Sequence, residues 1–125
     1  MDIHIKSTIL LTRNINKLVK FYAEILGLKL INEYETVAFF KDGLVIHDSD
    51  TYLKYINRTA DTVNMDKELV FYLVTSDIDK ILTVLNEKKI PLIHSIQIQS
   101  WGEKCIRLYD PDGNIVEIGD GNQSE

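Results

Sequence analysis

The sequence predicts an α+β fold built from two tandem βαβββ modules, and three observations lead there. Both halves run strand, helix, strand, strand, strand. In each half an Asn or Asp stands where a helix N-cap belongs and a Gly-containing turn precedes the last strand. Short stretches also recur in the same order. Asn14-Ile15-Asn16-Lys17-Leu18 matches Asp77-Ile78-Asp79-Lys80-Ile81 at an offset of 63, and Asp42-Gly43-Leu44-Val45-Ile46-His47 matches Asp112-Gly113-Asn114-Ile115-Val116-Glu117 at an offset of 70. A repeat of roughly 60 residues fits the size of one such module. The 125-residue chain is thus expected to form a single domain, with module one over 7–50, a linker over 51–66 and module two over 67–119.

In module one, Ser7 to Leu11 is a short apolar run with β-branched character, read as the first strand. Asn14 caps a helix whose apolar stripe is Ile15, Leu18, Val19, Tyr22, Ile25 and Leu26, at three- and four-residue spacing. Gly27 stands where a left-handed C-terminal cap is expected. Strands follow at about 28–33, 36–41 and 44–48, the last two joined at Asp42-Gly43. In module two, Leu69 to Val74 reads as a strand. Asp77 caps a helix with the stripe Ile78, Ile81, Leu82 and Leu85, and Pro91 marks its outer limit. Strands at about 92–98, 103–109 and 114–118 complete the half, with Asp110-Pro111-Asp112-Gly113 as a turn. The 51–66 stretch is polar and poorly periodic apart from Tyr52, Leu53, Tyr55 and Ile56.

Composition narrows the function. With 45% apolar and 26% charged residues the chain has the mixture of a soluble globular protein. Its 14 basic and 19 acidic side chains give a net charge of −5, which disfavours a nucleic-acid backbone or an anionic membrane as partner. No stretch approaches a signal-peptide core or a membrane span. Cys105 is the single cysteine, so neither a disulfide framework nor a thiolate zinc cluster is available, and a reducing cytoplasm is the expected location.

Three stretches resemble the vicinal oxygen chelate superfamily, which includes glyoxalase I, bleomycin-resistance proteins and extradiol dioxygenases. Thr12-Arg13-Asn14-Ile15, followed by Phe21-Tyr22 and Leu26-Gly27-Leu28, resembles the family's first strand–helix–turn signature. Ser76-Asp77-Ile78-Asp79 is similar to the start of its second helix. Leu108-Tyr109-Asp110-Pro111-Asp112-Gly113-Asn114-Ile115-Val116-Glu117-Ile118 is similar to its "DPDGNxxEL" ending, the most specific of the three. Trp101-Gly102 resembles a "PWG" variant, with Ser100 in place of the proline. The resemblance covers residues 7–119. It implies a glyoxalase-like fold, in which curved mixed sheets enclose a cavity, and a homodimeric assembly.

The resemblance also implies four metal slots, from the first and fourth strands of each module, which fall here on Ser7, His47, Val70 and Glu117. Valine cannot ligate a metal and a neutral serine hydroxyl is a poor ligand for zinc, nickel or iron. His47 and Glu117 remain, as metal ligands and catalytic candidates. The expected cofactor is none, or a weakly bound divalent zinc, nickel or iron. The repeat puts His47 and Glu117 at equivalent positions, and alternation turns Val45 and His47, like Ile115 and Glu117, away from the helices. They are expected to face each other as a weak metal pair, a metal-free acid–base pair, or a buried ion pair. In glyoxalase I-like enzymes a carboxylate in the Glu117 slot is both ligand and base.

Cys105, Arg107 and Tyr109 share a strand face and are candidate ligand-binding residues, together with Tyr72 and the loop residue Trp101. Arg107 can clamp a carboxylate or phosphate, or pair with Glu103 or a neighbouring acid. Trp101 can stack on a ligand or pack at an edge. His94 alternates with Ile96 and Ile98 and is expected to be structural. His4, three residues before Ser7, is expected on the opposite face. Two functions compete: a metal-poor binder that holds a small organic molecule in a cavity between the modules, which the Ser7 and Val70 slots favour, and a metal-dependent, lactoylglutathione-lyase-like enzyme.

Overall fold

A computed structural model describes residues 1–59, 61 and 69–122. The chain divides into two compact units, Met1–Met65 and Asp66–Glu125. The first holds β1 (Thr8–Thr12), α1 (Ile15–Lys20), a π-helical turn (Phe21–Ile25), β2 (Leu30–Glu33), β3 (Val37–Phe40), β4 (Leu44–Asp48) and α2 (Ser49–Tyr55). The second holds β5 (Val70–Val74), α3 (Ile78–Glu87), β6 (Leu92–Ile98), β7 (Lys104–Tyr109) and β8 (Ile115–Gly119). The sheets run β1-β4-β3-β2 and β5-β8-β7-β6. In each, the first and fourth strands of the module pair in parallel and the other neighbours are antiparallel. This is the predicted βαβββ plan, twice over.

The local signals act as expected at both helix starts. Asn14 Oδ1 accepts from the Lys17 N–H at 3.2 Å and Asp77 Oδ1 from the Lys80 N–H at 3.1 Å. Each cap is held by a threonine two residues earlier, Thr12 or Thr75, whose hydroxyl accepts the cap residue's own N–H. Such side-chain bonds satisfy donors that the helix itself leaves unpaired.

Each sheet buries one face. In the first unit Leu10, Ala38, Leu44 and Ile46 are buried, and α1 packs on β4 with Leu18 and Val19 inward. In the second, Ile106, Leu108, Val116 and Ile118 are buried, with Ile78 and Leu85 of α3 packed against β7.

Two elements differ from the sequence pattern. The first helix does not continue as α to Leu26. The Leu26 N–H bonds the Phe21 carbonyl at 3.0 Å, five residues back, which makes a π turn. Phe21 and Tyr22 are both buried there, as the adjacent Leu18 and Val19 are in the preceding α turn. The second is α2, which occupies the start of the predicted linker. Asp48 caps it, accepting the Thr51 N–H at 3.0 Å and the Thr51 hydroxyl at 2.8 Å. The remainder of that linker, residues 60 and 62–66, lies outside the described residues.

Candidate functional site

The second unit carries a row of polar side chains across all four strands of one sheet face. Tyr72 on β5 lies opposite Glu117 on β8, Glu117 opposite Arg107 on β7, and Arg107 opposite His94 on β6. Alternation turns this row away from the buried Ile106, Leu108, Val116 and Ile118. The register of β8 is fixed at the turn before it. Asp110 Oδ1 accepts the Asp112 and Asn114 N–H groups, both at 2.9 Å, and Gly113 takes a φ of +86°, which a side chain would strain.

Arg107 organises the row. Its Nε donates to Glu117 Oε1 at 2.9 Å. Nη1 lies 3.0 Å from His94 Nε2 and donates to Gln97 Oε1 at 3.2 Å, and Nη2 donates to Gln99 Oε1 at 3.3 Å. A guanidinium has no acceptor, so His94 receives this bond on an unprotonated Nε2, and its Nδ1–H donates to the Ser95 carbonyl at 2.7 Å. Four of the five guanidinium donors are thereby used, and its charge is balanced by Glu117. The expected acidic partner is therefore Glu117 and not Glu103.

The placement of His94 corrects the sequence expectation. Strict alternation set it apart from Gln97 and Gln99. However, β6 contains extra residues between Leu92 and His94 and again between His94 and Gln97 relative to β7. These bulges reverse which side chains share a face, so His94, Gln97 and Gln99 all reach Arg107.

A buried carboxylate adjoins this row. Glu103, just before β7, is 2% exposed. The Tyr72 hydroxyl and the Gly121 N–H, the latter at 3.1 Å, both donate to its Oε2, and Trp101 Nε1 donates to Oε1 at 3.0 Å. The Tyr72 bond, with the Trp101 and Gly121 bonds behind it, holds the Glu103 carboxyl below its ordinary value against the opposing effect of burial. The same bond pushes the Tyr72 hydroxyl up to about 12. Sequence alone gave Glu103 only as a possible partner of Arg107. Its seat depends on Gly119 on the neighbouring strand β8, 16 residues on in the chain, a signal that no local pattern carries.

The remaining candidates are placed as follows. Tyr109 lies one row along, opposite Ile115, and is exposed. Cys105, opposite Gly119, is fully buried. Burial raises its thiol pKa, as fits an inert core cysteine rather than a ligand contact. In the first unit His47 is 9% exposed. Its ring makes edge contacts with Tyr52 at 5.3 Å and Tyr55 at 5.9 Å, both on α2, and Nδ1 lies 3.0 Å from the Asp48 carbonyl. His4 precedes β1, 3.9 Å from Asp2, and both side chains are exposed.

A family model for the glyoxalase-like domain matches residues 5–122. The chain belongs to the glyoxalase-like domain family. Solved structures agree with this at the level of fold. A protein of unknown function from Agrobacterium tumefaciens str. C58 is 27% identical with a TM-score of 0.82, covering 95% of this chain and 94% of its own. A lactoylglutathione lyase from Agrobacterium tumefaciens is 23% identical with a TM-score of 0.73, covering 94% and 93%. A glyoxalase/bleomycin resistance protein/dioxygenase from Nocardioides is 20% identical with a TM-score of 0.75, covering 100% and 89%. No curated protein matches the chain.

The metal slots of this glyoxalase-like chain do not fit a divalent cation within either unit. In the first, the residue opposite His47 is Leu11, while Ser7 sits beside Gly43, four residues and roughly 13 Å further along the strand. In the second, Val70 is aliphatic and the guanidinium of Arg107 already contacts Glu117. A cation at Glu117 would have to displace or repel that positive charge. Among the described residues, no three His, Cys, Asp or Glu side chains gather as a metal-binding group. Also among the described residues, no helix is long and apolar enough to cross a membrane.

Proposed function

We propose that this glyoxalase-like protein binds a small organic molecule on the exposed face of its second sheet, without a firmly held metal. The observation that carries this is the Arg107–Glu117 pair. Its charges cancel, yet Glu117 Oε2 has no hydrogen-bond partner among the described residues and the pair is flanked by exposed Tyr72, Val70, Val74 and Tyr109. A face of that kind suits a flat, amphipathic ligand that donates a hydrogen bond to Glu117. An anion is disfavoured, because most of the Arg107 donors are taken and Glu103 adds negative charge nearby. Glu117 and Arg107 are the anchors in this reading, with Tyr72, Trp101 and Tyr109 as apolar contacts. His47 is assigned to the packing of α2.

The test is calorimetry with matched three-ring compounds, proflavine as a planar diamine against anthracene-2-carboxylate. Proflavine is expected to bind more tightly than the carboxylate, and Glu117→Gln is expected to weaken it. Equal or reversed affinities would contradict the assignment. The alternative is a metal-dependent, lactoylglutathione-lyase-like enzyme with Glu117 as ligand and base. It requires Glu117 to be released from Arg107, and turnover of a glutathione hemithioacetal on adding nickel or zinc would favour it. Homodimerisation, one cooperative domain and a cytoplasmic location belong to the same proposal. Sedimentation equilibrium checks the first.

A further inference from the structure

We infer that Glu103 is a positioning residue, whose buried carboxylate holds Tyr72 and Trp101 as a fixed aromatic wall beside the Arg107–Glu117 pair. This rests on the binding face proposed above. The two oxygens of Glu103 accept three neutral donors, the Tyr72 hydroxyl, the Trp101 indole and the Gly121 amide. Among the described residues no Lys or Arg pairs with it, since the nearby guanidinium is engaged by Glu117. A carboxylate that served only packing would be costly to bury on neutral donors alone. Here it secures two rings that are themselves 47% and 43% exposed, so the ordered side chains face solvent and not the core. Large aromatic rings ordered in advance lose little further freedom when a ligand stacks on them.

The seat for this carboxylate is built into β8. A Cβ at Gly119 would overlap the Glu103 carboxyl, 2.7 Å from Cδ, and come within 3.2 Å of Tyr72 Cε1. Gly119 is two residues along β8 from Glu117, and Tyr72 lies directly across from Glu117. The wall and the polar row therefore share one strand pair, and side chains on both reach the same small area.

The chemistry of an amide separates this role from simple packing. Glu103→Gln keeps the shape, but its NH2 must face one of the groups that now donate to a carboxylate oxygen. Either Trp101, or Tyr72 with Gly121, then meets a donor instead of an acceptor. Trp101 is the only tryptophan in the chain, so its fluorescence reads the wall directly. In Glu103→Gln we expect red-shifted emission, stronger acrylamide quenching and proflavine binding weakened about tenfold, on the scale of one lost hydrogen bond. Glu103→Asp retains both acceptor oxygens and is expected to recover part of each signal. If Glu103→Gln does not fold, Tyr72→Phe keeps the ring and removes one donor, and is expected to weaken proflavine in the same direction.

Unchanged Trp101 emission and quenching in a folded Glu103→Gln protein, with proflavine affinity also unchanged, would overturn the positioning role. So would a shifted spectrum with unchanged proflavine affinity. Failure of proflavine to bind the wild-type protein, with the Trp101 shift present, would instead sink the binding reading and remove the wall's ligand with it.

Discussion

The two units share a topology and differ at the face that points away from their helices. His47 and Glu117 are equivalent by the repeat, yet their surroundings have little in common. In the first unit α2 lays Tyr52 and Tyr55 against His47, and Val45 beside it is buried. In the second unit the strand ends at Gly119, the described residues after it form no helix, and Tyr72 and Val74 stay exposed around the Arg107–Glu117 pair. Gly119 and Ser49 are equivalent positions by the same offset of 70. One provides space for a carboxylate and the other begins a helix. A duplicated module can keep its apolar pattern, which sets the fold, while a few residues after the last strand decide whether its other face is open.

Substitution in the cores tests the shared part and should have the largest effect. Ile46→Ala in β4 and Ile106→Ala in β7 remove fully buried side chains from the sheet centres. Each is expected to cost about 3 kcal/mol by urea denaturation. A large inequality would show that the units are not comparably packed. The seat beneath Glu103 comes next. Gly119→Ala forces the carboxyl from its donors and is expected to cost about 2–3 kcal/mol by the same measurement.

The Tyr72–Glu103 bond predicts a pH dependence peculiar to the second unit. The Glu103 carboxyl is lowered from 4.5 in the folded chain, so its contribution is complete above that value and is lost as pH falls toward the folded one. The Tyr72 hydroxyl is raised from 10.0 to about 12, so its contribution is complete below 10 and is lost as pH rises through that interval. The difference in urea midpoint between wild type and Tyr72→Phe should therefore narrow at both extremes. A pH-independent difference would remove this bond from the account. The smallest effect is expected at the equivalent position in the first unit. Ser49 Oγ is buried without a hydrogen-bond partner among the described residues, so Ser49→Ala should be neutral or stabilising by up to about 1 kcal/mol. A clear loss of stability there would mean that the hydroxyl is satisfied in solution.

The strand and helix order could be read from the sequence because it rests on short-range patterns. Caps at Asn14 and Asp77, turns at Gly43 and Gly113, and alternation along β4, β7 and β8 each involve residues a few positions apart. The same alternation places Glu117 and Arg107 on one face. What escaped depends on irregularities or distant partners. The bulges in β6 add residues without changing the letters around His94. The π turn at Phe21–Ile25 rests on backbone hydrogen bonds that the apolar spacing does not mark. The seat of Glu103 needs Gly119 and Tyr72, which are far away in the chain. In α2 the stripe of Tyr52, Leu53, Tyr55 and Ile56 is too short to mark a helix, and its Asp48 cap is seen only in the structure.

The central claim is that the counter-charge of Glu117 is Arg107 and not a metal ion. Metal analysis by mass spectrometry of protein purified without chelator, alongside His47→Ala and Glu117→Gln, tests it most directly. The account predicts zinc, nickel and iron each well below one ion per chain in all three proteins. Stoichiometric metal in the wild type that is lost in either variant would contradict it.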